Sequence, residues 1–515
     1  MTVNRYRRLP VGIQSFKIIR EENYLYVDKS DIVWNMVNLG DKYNYLSRPR
    51  RFGKSVLVDT LESYLEGRKD LFEGLKIMQM EKEWKQYPVI RLDMSRGGAN
   101  EATLRSYLNL RFKDYEQKYN ITPDPTAMLA DRFHAIIATA YKQTGLRVAV
   151  LIDEYDSPLQ HSWRTPEHEK CTGVYREVFA ILKADDEYEQ FIFITGITKF
   201  TQISLFSVLN NLSNISFMPE YAAICGITEE EIKENFMPEL KQMSEANNWS
   251  IQETHDRLKA YYDGYHFSRR NMVDVYNPYS LVNALKSKEI INFWASSGAT
   301  SLLPKFVDNA ELRLSKFENC SVMRNTLELS DVSGGGAELF LYQSGYLTIK
   351  ESDEFGYILG FPNEEVKQAL YETVLPALAM RSENEIQSLQ AGLYRELGTG
   401  QIDEAMNSLK ALIADVPYSN KKLASMDMEE RYRLIISTIM NAIGLSVEVE
   451  KMISTGRIDM TELKLRNNGG KEAATEQILN RQYMEPFKAD KRKVIGLGIE
   501  LDEEGKGLLD WKRAE

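Results

Sequence analysis

The stretch Ser47-Arg48-Pro49-Arg50-Arg51-Phe52-Gly53-Lys54-Ser55 sets a glycine, a lysine and a hydroxyl in the order that phosphate binding uses. Tyr45 and Leu46 precede it and Val56, Leu57 and Val58 follow, so a short strand, a tight loop and a helix start are expected in succession. Backbone N–H groups at a helix start near Gly53 face an anion, and the helix dipole favours negative charge there. Lys54 is placed to reach the β- and γ-phosphates, and Ser55 to offer its hydroxyl to a magnesium ion. Arg50, Arg51, Gly53 and Val56 complete the expected ligand-facing loop. Arg48 stands where the pattern G-x-x-x-x-G-K-S has its first glycine.

About a hundred residues on, Val148-Ala149-Val150-Leu151-Ile152 runs into Asp153-Glu154. The apolar run suits a strand buried on both faces of a parallel sheet, and the acids then emerge at its carboxyl end, where open α/β sheets bind ligands. Asp153 is expected to hold magnesium through water, and Glu154 to polarise an attacking water. Each motif alone also fits a polar loop beside a core strand. Together, in this order and with these flanks, they point to nucleotide binding.

The elements that must position these groups follow from the flanking pattern. Leu57, Leu61, Tyr64 and Leu65 recur at helical spacing until Gly67. Residues 88–93 read as the next strand, 101–144 as helices, and 191–198 as another buried strand with a polar tip. Strands alternating with helices predict a doubly wound parallel α/β layer over the first 220 residues. At the last tip, Thr195, Thr198 and Lys199 are candidates to sense the γ-phosphate, the alternative being a capped loop. Residues 10–30 lie upstream, with Asp28 or Ser30 as a helix cap. This segment either packs on the nucleotide base or covers the sheet edge.

From Thr228 the rhythm becomes helical, over 229–246 and 252–262, with aromatic turns at 261–267 and 276–280 to which no chemistry is assigned. Residues 333–336 read as a break, 339–350 and 357–361 as a β pair, and 365–415 as a polar helical connector. A helix at 428–443, a helix at 471–485 and a strand at 493–501 are expected in the tail. Lys and Arg number 64 against 75 acids, a net charge of −11, which excludes wholesale nucleic-acid binding and leaves only a local basic patch for it. Cys171, Cys225 and Cys320 have no C-x-x-C spacing and read as reduced thiols. No apolar run reaches the ~20 residues that span a bilayer, and the N-terminus has no signal-peptide pattern, so a cytoplasmic protein is expected.

Residues 47–55, Tyr24-Leu25-Tyr26-Val27-Asp28-Lys29-Ser30, the strand end 151–156 and residues 193–200 resemble the bacterial AAA-like ATPases, related to archaeal and STAND-type P-loop proteins, in which a C-terminal PD-(D/E)XK nuclease-like domain follows the ATPase. Arg48 in place of glycine is usual in that family. The resemblance implies ATP and Mg2+ as ligands, with an additional-strand P-loop domain over 1–225. It further implies a helical, winged-helix-like middle domain over 226–365, a connector over 366–426 and a restriction-endonuclease-like α/β domain over 427–515. In the tail, Glu430, Asp459, Glu462-x-Lys464 and Gln477 fall on the superfamily's acid, Asp, Glu-x-Lys and Gln positions. Their carboxylates would hold magnesium, Lys464 would neutralise phosphate charge, and DNA would be the partner, in DNA processing or defence against mobile elements.

Only Met460 and Thr461 separate Asp459 from Glu462. On one continuous strand, residues three apart sit about 10 Å from each other on opposite faces, and Met-Thr does not supply the positive φ of a two-residue hairpin. A degenerate site is therefore expected, with the chain leaving DNA uncut. The alternative for the whole protein is a non-catalytic nucleotide switch or scaffold whose tail only binds a partner.

Overall fold

Five consecutive apolar residues with no polar alternate suit a strand covered on both faces. In the computed structural model they form β3 (Val148–Asp153), buried along its whole length. It lies between β2 (Val89–Asp93) and β4 (Glu189–Gly196). β1 (Tyr43–Ser47) and the two-residue β5 (Ser213–Asn214) extend the sheet in the order β2-β3-β4-β1-β5, every pair parallel. β4 thus stands between β1 and β3, and the carboxyl ends of all three open on one edge. The structure describes residues 8–122, 124, 126–199, 211–270, 273–295, 317–328, 336–379, 383–414, 428–443, 470–482, 484, 494–502 and 507–514.

Helices of six or more residues are numbered in chain order. α1 (Phe16–Glu21) and α2 (Ser30–Asn38) precede β1, and α3 (Lys54–Leu65) follows it. Asp28 Oδ1 accepts from the Ser30 N–H at 2.9 Å, so Asp28 supports the start of α2. α4 (Glu101–Lys118), α5 (Leu129–Thr144) and α7 (Glu167–Phe179) cover one sheet face through Leu104, Leu108, Phe133, Ile136 and Val174, against Val148, Val150 and Ile152. By strand alternation Ala149 and Leu151 face the other way, and α3 packs on β2 and β3. α6 (Ser157–Ser162) begins just beyond β3.

Further on, α8 (Glu229–Asn235), α9 (Met237–Asn247), α10 (Ile251–Tyr262) and α11 (Pro278–Ser287) close around Ile232, Phe236, Leu240, Met243, Leu258 and Leu281. Thr228 and Glu231 form a capping box at the start of α8. The short β6 (Ile227–Thr228) and β7 (Val275–Tyr276) pair beside these helices. An antiparallel sheet β8-β10-β9 (Cys320–Met323, Gly356–Gly360, Thr348–Ser352) follows. The expected strand over 339–350 is corrected in its first half, because Gly336–Ser344 is a helix, α12. Leu339, Phe340, Leu341 and Tyr342 are all buried, and an apolar run buried on every side carries no period to tell helix from strand.

The described residues fall into two compact units, residues 8–295 with 317–363, and the residues from Glu364 on. The second unit contains α13 (Glu364–Ala379), α14 (Glu383–Thr399), α15 (Ile402–Ala414), α16 (Met428–Ala442) and α17 (Gly470–Asn480). β11 (Gly496–Leu501) pairs antiparallel with β12 (Leu508–Ala514), a strand the sequence pattern did not reveal. α17 lies on β11 so closely that a Cβ on Gly498 would come within 2.4 Å of Thr475 Oγ1.

Candidate functional site

The loop leaving β1 reaches α3 through Gly53, whose φ of 86° is the left-handed conformation that glycine adopts without strain. No side chain caps α3, so the N–H groups of its first turn lack an intrahelical partner and point out of a twelve-residue helix at its positive end. A Cβ on Gly53 would meet nothing within 4 Å. The glycine is therefore required by backbone conformation, and the space above it is open. Lys54 is buried, and its Nζ donates to the carbonyl oxygens of Arg48 and Pro49 at 2.8 and 2.9 Å. Burial pushes its ammonium below the usual lysine range, against the pull of Glu154, Asp156 and Asp153.

Across the sheet edge, Asp153 is buried and accepts at 2.9 Å from the Glu154 N–H, with Ser55 near enough to influence its carboxyl. Burial raises its carboxyl, while the Ser55 hydroxyl nearby and the charges of Lys54 and Arg91 hold it down. Burial likewise raises Glu154, with Lys54 opposing and Asp153, Asp156 and Asp93 adding to the rise. Glu154 has φ 47°, a conformation uncommon for residues other than glycine, of the sort that collects at functional sites. Among the described residues no three His, Cys, Asp or Glu side chains are grouped to cage a metal. One carboxylate beside one hydroxyl is instead the sparse protein contribution that magnesium takes when water and phosphate oxygens complete its shell.

Both motifs border one cavity of about 490 Å³, within the range that encloses a small ligand. Arg50, Arg51, Gly53, Lys54, Ser55, Val56 and Glu154 line it on the loop side. Val11, Ile13, Val27, Ile227 and Val282 supply apolar wall. The segment over 10–30 therefore borders the same cavity as the phosphate loop.

Residues 10–206 match the model of a family described as predicted AAA-ATPase. The whole chain is 30% identical over 532 residues, 98% of each chain, to "Uncharacterized protein in vnfD 5′region" of Azotobacter chroococcum mcd 1. The chain belongs to the AAA-ATPase-like family.

In this AAA-ATPase-like protein the residue at the missing-glycine position turns away from the cavity. Arg48 is buried and donates to the carbonyl oxygens of Ser47 and Ser216 at 2.8 and 2.9 Å and of Tyr221 at 2.8 Å. Its guanidinium lies 4.2 Å from the centre of the Phe267 ring, and burial pushes it down to about 10. Phe52 follows it inward, edge-on to Tyr265 and Phe267 at 4.7 and 5.3 Å. The aromatic turn over 261–267 thus forms the back of the ATPase-like loop, a role that its residue types alone did not disclose. A Cβ on Gly345 would stand 2.6 Å from Pro49, so a second turn abuts the same loop. Arg51, at φ 70°, lays its guanidinium over Tyr279 at 4.8 Å.

Other expected site residues are tied elsewhere. Thr195 Oγ1 donates to the Leu46 carbonyl at 2.8 Å, joining β4 to β1. Thr198 gives both its N–H and its hydroxyl to Asp156 Oδ2 at 2.6 Å, and the Ile197 N–H and Gln160 Nε2 join them at 3.0 and 2.6 Å. Lys199 Nζ donates to the Glu328 carbonyl at 2.8 Å. Asp156, three residues beyond Asp153, is the hub here and was not singled out by its sequence context. Asp459, Glu462 and Lys464 lie outside the described residues, as do Gly456, Arg457 and Ile458. Glu430 is on α16 and Gln477 on α17.

Proposed function

We propose that the protein binds ATP with Mg2+ in this cavity and hydrolyses the γ-phosphate. The observation that carries the reading is the single cavity that Gly53, Lys54 and Ser55, at the helix start behind the phosphate loop, share with Glu154 at the acid-bearing end of β3. The N–H groups from Gly53 to Val56 hold phosphate oxygens, and Lys54 moves its ammonium from the two loop carbonyls to the β- and γ-phosphates. Arg50 and Arg51 add positive charge at the loop. Ser55 and Asp153 would hold Mg2+, which when bound neutralises phosphate charge. Glu154, with its carboxyl raised by burial, is the base that orients the attacking water and draws on its proton. Thr195 and Thr198 act through position, as struts that set the end of β4 against β1 and Asp156.

The tail carries the second part of the proposal, a PD-(D/E)XK nuclease-like domain over 427–515 that meets DNA, with the helices over 226–295 and the sheet β8-β10-β9 as a winged-helix-like module between. What supports it is the sequence pattern of Glu430, Asp459, Glu462, Lys464 and Gln477. A role in DNA processing or in defence against mobile elements rests on the same pattern. No helix among the described residues is long and apolar enough to cross a membrane.

The deciding experiment measures ATP binding and phosphate release for the parent protein and for Lys54→Ala. Loss of binding with the fold intact is expected, since no neighbouring arginine shares the trajectory of Lys54. Undiminished affinity would overturn the assignment. DNA incubated with the same protein and Mg2+ or Mn2+ tests the tail, and intact DNA is expected from the short Asp459 to Glu462 connection.

A further inference from the structure

The cavity is larger than a triphosphate needs, and the wall beyond the phosphate loop is of a different kind. Val11, Ile13, Ile227 and Val282 offer apolar surface there, and Asn283 stands beside Val282 on α11. Asn277 Oδ1 accepts from the Tyr279 and Ser280 N–H groups, at 3.0 and 3.2 Å, fixing the start of that helix. One turn on, Asn283 Nδ2 donates to the Tyr279 carbonyl at 2.8 Å. A carbonyl only accepts, so the amide must present its nitrogen to Tyr279, which fixes its orientation and leaves Oδ1 and the second Nδ2 N–H as the polar groups of Asn283 not used there.

From this geometry, and resting on the ATP-binding reading above, we propose that Asn283 selects the base, its Oδ1 accepting from the exocyclic amine of adenine. With the phosphates at Gly53–Ser55, a planar base occupies the apolar remainder of the cavity and brings its edge to Asn283. Adenine carries an N–H donor at C6, whereas guanine and hypoxanthine carry a carbonyl there. Against Oδ1 that carbonyl sets acceptor on acceptor and leaves both without a proton, which is rejection by an unpaired polar group. Apolar walls bind every purine alike, so the amide oxygen is what makes the site discriminate.

The test uses the full chain and calorimetric titration with ATP, ITP, GTP and inorganic tripolyphosphate, for the parent, Asn283→Leu and Asn283→Ala. The parent should bind ATP roughly 10- to 100-fold more tightly than ITP, the cost of one buried acceptor left unpaired. In both variants ATP and ITP affinities should converge, ATP losing its partner and ITP losing the opposed acceptor, while tripolyphosphate binding stays as it was. Should one variant fail to fold, the other carries the comparison. Equal binding of ATP and ITP by the parent overturns the assignment, as does an ATP preference that survives in a folded variant. Either result leaves nucleotide binding itself standing, because Lys54→Ala tests that separately. Binding of none of the four compounds overturns both.

Discussion

The two halves of the loop between β1 and α3 use their residues in opposite ways. Arg48, Pro49 and Phe52 turn inward, onto the carbonyls of Ser216 and Tyr221, the turn at Gly345 and the rings of Tyr265 and Phe267. Gly53, Lys54 and Ser55 line the cavity, with the Lys54 ammonium on the carbonyls of Arg48 and Pro49. In the common pattern the first glycine lets the loop turn tightly. Here a buried guanidinium holds that end of the loop in place, so rigidity comes from tertiary packing instead of local backbone freedom.

That division predicts which changes damage the fold and which damage only chemistry. Arg48→Ala has the largest expected effect, about 3–5 kcal/mol of stability, because it leaves buried carbonyls and a ring face without their cation. Thermal unfolding measures it, and an unchanged midpoint would show that the inward half is not an anchor. Glu154→Gln should leave the midpoint unchanged and lower phosphate release by about 100-fold or more, since an amide is no base. Parent-like turnover in that variant would remove Glu154 from the chemistry.

Smaller effects are expected behind the anchor. Asp263, in the same turn as Tyr265 and Phe267, is buried with neither carboxylate oxygen hydrogen-bonded to another side chain, and burial pushes its carboxyl up to about 6. Asp274 and Glu229 add to that rise, while the Gly264 N–H and Lys259 oppose it. The folded state therefore holds the proton more tightly than the unfolded chain. The ionised group costs stability above pH 6, and the cost fades as pH falls towards 4. Asp263→Asn should stabilise by about 2 kcal/mol at pH 7.5 and by little at pH 4. A midpoint raised equally at both pH values would refute the assignment. Phe52→Leu should cost about 1 kcal/mol, because it removes the edge-to-face ring pairing and keeps most of the volume. A loss of nucleotide affinity larger than this loss of stability would show the two halves to be coupled.

The cavity side is legible in the sequence because the phosphate-binding role proposed for it admits few residue types. Gly53, Lys54, Ser55, Asp153 and Glu154 have few substitutes, and an unbroken apolar run such as Val148–Ile152 has few uses other than a covered strand. The anchoring side is not legible, since Arg48 and Phe52 gain their meaning from Ser216, Tyr221, Tyr265 and Phe267, at separations that no local pattern reports. The density of aromatic residues around Gly264 is the available signal, and it marks packing without saying against what. Asp156 is hidden in the same way, one of three acids in four residues, with its partners just beyond β4 and on α6. α12 escapes a local reading because an apolar run buried on all sides has no period, and β12 because its alternation is interrupted by charges.

The strand order also governs when this protein is able to work during its own synthesis. β1 is made early, yet its neighbours in the sheet are β4 and β5, and the turn that abuts Pro49 arrives only with Gly345. At roughly 5–20 residues per second, the ribosome needs about 15–60 seconds between emitting the phosphate loop and emitting the last residue packed behind it. A nascent chain halted between Phe267 and Gly345 has the aromatic backing of the loop but lacks the turn that abuts Pro49. Ribosome-bound chains stalled at increasing lengths should therefore gain protease resistance from ATP only once the turn at Gly345 has cleared the exit tunnel.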